Sequence, residues 1–336
     1  MPKESETIVV DGEEIAIGNP GKLYFPEIKF TKMQLVEYYI AVGPGALRGC
    51  HMRPTVMKRF PDGAAGEFFF QKRVPANRPP WLQTVTVHFP SGRSAELLAP
   101  ADLAHVIWAV NLGCIDLNPW PVRRADVDRP DELRVDLDPT PEAGFAEVRK
   151  VALVVNEVLS DHGLVGYPKT SGSRGIHVYV RVVPEWDFTE VRRAALALAR
   201  EVERRAPKLA TTAWWKEQRH GVFLDYNQNA RDRTIASAYS ARPTADGRVS
   251  CALDWKEVVD VEPGDLTVKT VPRRFKKKDP SAAIDEVPGR LDSLLELALR
   301  DEREGLGDAP WPPHFPKQKG EPRRVQPSRA RKEADS

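Results

Sequence analysis

The chain has 336 residues, 41% hydrophobic and 29% charged, with a formal net charge of +2. Those proportions suit a soluble globular protein, and no apolar run approaches the roughly 20 residues needed to cross a bilayer, so a membrane partner is excluded. The charged start Met1-Pro2-Lys3-Glu4-Ser5-Glu6 lacks a leader-like apolar segment, and Cys50, Cys114 and Cys251 lack metal-ligand spacing, which fits a reducing cytoplasm and no zinc site.

Taken in order, the N-terminal part to about residue 130 reads as an α/β module of short strands and proline-rich turns. Thr31 and Gln34 stand at capping-box spacing and Leu35, Tyr38, Tyr39 and Val42 supply an apolar face, which predicts a helix over 31–42. Val106, Ile107 and Val110 place a second helix over about 101–112. From residue 133 the order is regular. A strand through Arg134-Val135-Asp136-Leu137-Asp138-Pro139 leads into an amphipathic helix over about 143–160, stopped by Gly163. A short strand ending near Lys169, a turn over 170–175 and the alternating strand 176–182 form a hairpin. A helix over about 189–205 and a strand over 221–225 complete a β-α-β-β-α-β order. That is the ferredoxin-like or RNA-recognition-like arrangement, an α+β class in which both helices cover one sheet face and the other is left open. Residues 131–306 form this catalytic core, and 307–336 read as a basic, disordered tail.

Strand alternation decides which groups share the open face. Asp136 and Asp138 point to one side of their strand while Val135 and Leu137 point to the other. Taken alone, such a pair also suits a solvated strand edge. In the hairpin, His177, Tyr179 and Arg181 take the open face, and the last strand delivers Asp225 to it. Three carboxylates gathered this way repel unless a divalent cation with a taste for hard oxygen ligands sits among them, and a trio can hold two such ions for phosphoryl transfer. The adjacent Lys169-Thr170-Ser171-Gly172-Ser173-Arg174-Gly175-Ile176-His177 offers close backbone approach, hydroxyl and N–H donors, and cations for a triphosphate. Arg242, in Tyr239-Ser240-Ala241-Arg242, adds a further charge for it. The cationic run Arg273-Arg274-Phe275-Lys276-Lys277-Lys278 and the tail could both track phosphates.

These motifs, with Val222-Phe223-Leu224-Asp225-Tyr226-Asn227-Gln228-Asn229, Leu253-Asp254-Trp255, Arg59-Phe60-Pro61-Asp62-Gly63 and Phe68-Phe69-Phe70-Gln71-Lys72, closely resemble the polymerase domain of bacterial ATP-dependent DNA ligase D. That family is a branch of the archaeo-eukaryotic primase superfamily, and the resemblance covers roughly residues 8–300. It implies the archaeo-eukaryotic primase fold, metal ligation by Asp136, Asp138 and Asp225, usually with Mn²⁺ or Mg²⁺, and nucleotide contacts from Ser171, His177, Arg242 and Lys169. Lys72 and Arg59 would lie near nucleotide or template. Lys22 and Lys32 match two lysines that hold a 5′-phosphate at a gap, and Phe69 or Phe70 would stack on the template base. Two positions depart from the family pattern. Asn118 stands where a histidine is expected, keeping a contact role but not a titrating one, and Gln228 replaces an arginine.

The resemblance implies a template-directed nucleotidyltransferase that adds ribonucleotides, and less readily deoxyribonucleotides, to 3′ ends at gaps or double-strand breaks. Its substrates would be NTP or dNTP and gapped DNA with a 5′-phosphate. With no ligase motif or nuclease module in the chain, we expect a monomer acting at the nucleoid beside a Ku-like end-binding protein and a separate ligase. A primase starting strands de novo, a non-catalytic DNA-end binding module and a metal-dependent nuclease are the competing readings of the same residues.

Overall fold

The computed structural model describes residues 4–89, 91–313, 315–317 and 321–322. In the N-terminal half, β1 (Ser5–Val10) and β2 (Glu13–Gly18) form a hairpin, as do β3 (Leu23–Phe25) and β4 (Phe30–Thr31). α1 (Lys32–Ala41) starts on the capping box read from the sequence: Thr31 Oγ1 accepts from the Gln34 N–H and Gln34 Oε1 accepts from the Thr31 N–H. After α2 (Gly43–Cys50) come β5 (Thr55–Arg59), β6 (Phe69–Gln71), β7 (Thr84–His88) and β8 (Ser94–Leu98). α3 (Leu103–Asn111) is capped by Asp102 and buries Val106, Ile107 and Val110, and β9 (Cys114–Pro119) follows. β5 is the axis of this sheet, pairing antiparallel with β6, β8 and β9.

The second half is built on β10 (Glu132–Pro139), α4 (Phe145–Asp161), β11 (Gly166–Thr170), β12 (Ile176–Arg181), α5 (Phe188–Arg205), β13 (Ala210–Thr211) and β14 (Val222–Leu224). The sheet order is β11-β12-β10-β14-β13, so the strand with the paired acids is central and flanked by the second hairpin strand and β14, as the RNA-recognition-like order requires. β13 is an addition, parallel to β14. Helix starts sit one or two residues from the predicted positions, at caps made by Gly144 with Glu147 and by Asp187 with Glu190. Gly163, at φ +67°, ends α4 as expected. Leu133, Val135 and Leu137 of β10 and Ile176, Val178 and Val180 of β12 are buried in one apolar cluster that also takes in α1, α3, α4 and α5. α6 (Val271–Lys277) and α7 (Asp292–Arg303) complete the chain's helices among the described residues.

The face opposite the helices is not left open along its length, which corrects the sequence reading. Arg134, His177, Tyr179 and Arg181 are all buried. Their cover is the segment after β14: the Ala236 carbonyl accepts from Lys169 Nζ and from Tyr179 Oη, and the Cys251 and Pro168 carbonyls accept from the Thr170 and Leu253 N–H groups. The N-terminal sheet closes over that segment through Tyr39, whose hydroxyl donates to the Ile115 carbonyl and accepts from the Ala241 N–H. Thus the middle of the face is covered, and the end that carries the acids reaches a cleft. The tail reading changes as well. Trp311 and Phe315 pack on Ala230, so the segment from Asp308 belongs to the packed body, while residues from 323 onward lie outside the described residues.

The two halves are joined by a buried ionic network. Arg53 donates to both carboxylate oxygens of Asp131 at 2.6 and 3.0 Å, and Arg123 and Arg181 approach the same carboxylate at 2.8 and 3.5 Å. Burial alone would raise the Asp131 carboxyl, but Arg53, then Arg181 and Arg123, hold it well below the usual carboxylate range. Removing Arg53 strands buried charge. Arg53→Ala is expected to lower unfolding stability by about 3–5 kcal/mol in urea titration, whereas a loss below about 1 kcal/mol would show that the other two arginines carry the joint.

Candidate active site

Asp136, Asp138 and Asp225 come together because register allows nothing else. Leu137 pairs with Leu224 and Asp138 with Phe223, so the residue after β14 falls opposite Asp136, whose carbonyl accepts the Asp225 N–H at 2.9 Å. One carboxylate oxygen from each of the three lies within 4.8 Å of the others. Asp136 is buried, Asp225 half-buried and Asp138 exposed at the cleft mouth. Burial, then the charges of Asp136 and Asp138, raises the Asp225 carboxyl to about 7. Asp136 and Asp138 titrate as a pair, and both are shifted upward, chiefly by desolvation.

This donor set fits a divalent cation. Oδ1 of Asp136 is buried without a hydrogen-bond partner, although His177 Nε2 stands 3.3 Å away out of line. An unpartnered buried carboxylate oxygen beside two more carboxylates is what hard oxygen-seeking ions such as Mg²⁺ or Mn²⁺ require. The residues that would hold them are Asp136, Asp138 and Asp225.

A cleft of about 400 Å³ opens beside Asp136 and Asp138. One wall is the hairpin turn. Ser171 Oγ accepts from the N–H groups of Ser173 and Gly175 at 3.1 and 3.0 Å, which leaves its own O–H free to donate into the cleft. Gly172 has φ +71°, and a Cβ on Gly175 would collide with the Leu137 carbonyl oxygen, so both glycines are required for the turn to lie against β10. The facing wall comes from the N-terminal sheet, where Lys58 pairs with Asp116 and Val56 with Asn118 in register. Arg242 bridges the walls, its guanidinium 3.2 Å from Asp116 Oδ2. Asn118 Nδ2 donates to Asp116 Oδ1 at 2.9 Å, which turns its amide carbonyl away from that carboxylate.

The predicted site residues separate into three groups. Asp136, Asp138, Ser171, His177, Asn118, Arg242 and Phe70 line the cleft, with Asp225 packed beside Asp136. Lys169 lies beneath it, because its ammonium is consumed by His177 Nδ1, the Ala236 carbonyl and Ser250 Oγ at 2.7, 2.8 and 2.6 Å. Burial, then Lys169 and Arg242, lowers the His177 pKa well below its ordinary value, so this imidazole is neutral. The third group lies away from the cleft. Lys72 is exposed over the Phe89 ring, and Arg59 donates to the Leu112 carbonyl and to Gln71 while standing over the Phe69 ring. Lys22 and Lys32 are backbone neighbours. Lys22 is held by Asp62, and Lys32 is buried against Asn111 and the Gly18 carbonyl, with burial first and Lys22 second lowering its ammonium to about 8.

Phe69 and Phe70 are 45% and 56% exposed, so they are not core residues of an ordinary strand. Lys58 and Asp116 were missed in the sequence, although Asp116 and Asn118 share a face at period two on one strand, as the acids of β10 do. Gln228 Nε2 approaches Asp225 Oδ2 at 3.4 Å, so a neutral donor stands where the resemblance led us to expect a cation. In the cationic run, Arg274 pairs with Glu257 and Lys278 with Asp254.

Comparison with known proteins gives a consistent assignment. The family model described as LigD, primase-polymerase domain, matches residues 31–281. The chain is 29% identical over 288 residues to the multifunctional non-homologous end joining protein LigD of Mycolicibacterium smegmatis, covering 85% of this chain and 36% of that protein. It is 32% identical over 260 residues to the bifunctional non-homologous end joining protein LigD of Bacillus subtilis, covering 76% of this chain and 42% of that protein. The chain therefore spans roughly two-fifths of the length of these relatives, or less. The solved polymerase domain of Mycobacterium tuberculosis Ligase D in complex with DNA matches with a TM-score of 0.77 at 27% identity, covering 82% of this chain and 99% of that one.

The raised carboxyl pKa values give a signed expectation. In the metal-free folded state the trio keeps protons that the unfolded chain, with a carboxyl pKa of about 3.9, would release. Its contribution to stability is therefore full below about pH 4 and is lost as pH rises through about 7. In chelator at pH 7.5, Asp138→Asn should melt above the wild type, with the gap closing by about pH 4. Mn²⁺ should raise the melting temperature of the wild type and leave the variant nearly unmoved. Scanning fluorimetry checks this, and a wild type that is the more stable of the two in chelator at pH 7.5 would count against the assignment.

Proposed function

The chain belongs to the family of LigD primase-polymerase domains, and we propose that it is a DNA-dependent nucleotidyltransferase extending 3′ ends at gaps or breaks, in double-strand break repair by end joining. The observation that carries this reading is the acid trio opening onto a cleft walled on one side by a glycine- and serine-built turn and on the other by the N-terminal sheet with Lys58, Arg242 bridging the two. A nuclease would need the acids but not the second wall.

In this reading Asp136, Asp138 and Asp225 hold divalent cations, Mn²⁺ or Mg²⁺. When bound, such ions lower the pKa of an attacking hydroxyl and offset the charge of a triphosphate. The reaction is in-line attack of the 3′-oxygen on the α-phosphorus, forming one ester bond and releasing pyrophosphate. Ser171 donates its hydroxyl to a phosphate oxygen, and Arg242 exchanges Asp116 for the triphosphate. Neutral His177, its Nδ1 held 2.7 Å from Lys169 Nζ, turns Nε2 toward the cleft to donate to the nucleotide. Asn118 offers its amide to the sugar or a phosphate. Phe69 and Phe70 supply an aromatic platform for the template base, worth about 1–3 kcal/mol per stacked base. Lys22, released from Asp62, and Lys32 supply positive charge for a 5′-phosphate, with Arg59 adding to the local field. Ribonucleotide preference, and work in trans with a Ku-like end-binding protein and a separate ligase, complete the proposal.

The test is extension of a labelled primer on a gapped duplex, with and without a 5′-phosphate, supplied with NTP or dNTP and Mn²⁺ or Mg²⁺. Wild type should extend, preferring the phosphorylated gap, and Asp138→Ala should fall to background while DNA affinity stays within about threefold, since it touches no predicted DNA contact. Retained extension by Asp138→Ala would refute the site. Lys22→Ala should reduce the preference for the phosphorylated gap and lower the salt dependence of binding by a slope of about 1. Synthesis without a primer would instead indicate a primase.

A further inference from the structure

Asp225 sits at the start of a 3-10 turn, Tyr226–Asn229, whose position sets where that carboxylate points. Two asparagines fix the turn from opposite sides. Asn229 is fully buried and exchanges hydrogen bonds with the backbone of β10, accepting from the Arg134 N–H and donating to the Arg134 carbonyl, both at 2.8 Å. Asn227 donates its N–H to Asp225 Oδ1 at 3.0 Å, while its side-chain carbonyl accepts from Arg192 Nε at 2.7 Å. The inner clamp is made by the core of the fold. The outer one depends on what holds Arg192.

Arg192, on α5, is 1% exposed. Its two terminal nitrogens donate to Asp308 Oδ1 at 2.8 Å and to the carbonyls of Ala309 and Pro310 at 2.9 and 3.1 Å, and its guanidinium lies 4.1 Å from the Trp311 ring centre. The Pro310 carbonyl also accepts from Asn227 Nδ2, at 3.4 Å. Trp311 and Phe315 pack on Ala230, directly after the turn, and Trp311 Nε1 donates to Asp308 Oδ2 at 2.8 Å. A guanidinium presents a rigid fork of donors, so one that bridges a strap to a turn transmits position as well as charge. The strap lies beyond the residues 31–281 matched by the family model.

We infer that the C-terminal strap, residues 308–313 with Phe315, is a working part of the cation site: through Arg192 and Asn227 it fixes the turn that aims Asp225. Arg192, Asn227 and Trp311 are positioning residues, since none is a ligand in the trio. Their contribution is to hold the Asn227 N–H on Asp225 Oδ1, which fixes the orientation of that carboxylate beside Asp136 and Asp138. Outer partners of this kind typically change metal affinity by about 10–100-fold when removed. The inference rests on the reading of the trio as a cation site.

The test is a Mn²⁺ titration of the full-length chain followed by electron paramagnetic resonance of the free ion, without DNA or nucleotide. Trp311→Ala loosens the strap, Arg192→Lys keeps the charge but removes the fork, and Val106→Ala, in the buried face of α3, lowers stability far from the strap. The expected result is that Trp311→Ala and Arg192→Lys bind Mn²⁺ about 10-fold more weakly or worse. Val106→Ala should melt earlier yet bind within about twofold of wild type, as an independent distant site should. Wild-type affinity in both strap variants would overturn the inference and leave the cation site standing. Equal weakening in Val106→Ala would also overturn it, by showing a general loosening. A wild type that binds no Mn²⁺ would remove the cation reading and the strap's role together.

Discussion

The constraint on which the rest of this molecule depends is the crowding of three carboxylates at one end of a sheet, with one ligand oxygen of each inside a 4.8 Å span. Left to itself such a cluster disperses or takes up protons. Here dispersal is prevented by backbone geometry: β10 is the central strand, β14 is tied to it through the Asp136 carbonyl, and Asn229 locks the following turn to Arg134. The cost is the upward pKa shift of all three groups, and a divalent cation is the natural way to reverse it.

Nearby positive charge is plentiful, but Lys169 and Arg242 are engaged by other partners. Lys169 spends its donors on His177, Ala236 and Ser250, and Arg242 pairs with Asp116 on the opposite wall. Gln228, the side chain that comes closest to Asp225 from its own turn, is neutral. The acids are therefore not neutralised by the protein's own cations, while the cleft beside them is lined to meet an anion. A site arranged this way suits a metal-bound triphosphate better than either a metal or a phosphate alone.

How much of this could be read in the sequence depended on whether a signal was local. The capping box at Thr31, the alternation of β10 and β12, the glycine stop at Gly163 and the delivery of Asp225 to the face of Asp136 all follow from period and spacing within one or two elements. The covering of the sheet face was not local. It requires residues 235–253 to fold back between two sheets, and their mix of small, apolar and polar residues shows no strand or helix period that announces it; Ser237, Ser240 and Ser250 are fully buried there, with backbone groups and each other satisfying their hydroxyls. For the same reason Lys169 looked like a phosphate ligand, since a lysine beside a glycine-rich turn gives no sign that three acceptors lie beneath it. The strap was misread as tail because its proline-rich composition masks what Trp311 and Phe315 pack on: Ala230 and, for Trp311, Arg192 more than a hundred residues away.

The most direct measurement is a crystal structure of the protein grown with Mn²⁺ and a non-hydrolysable nucleoside triphosphate, with anomalous diffraction recorded at the manganese edge. The expected result is anomalous density on Asp136, Asp138 and Asp225, with the triphosphate between that density and the wall formed by Ser171, Gly175 and Arg242. Manganese bound away from the trio, or a triphosphate seated outside that cleft, would contradict the account.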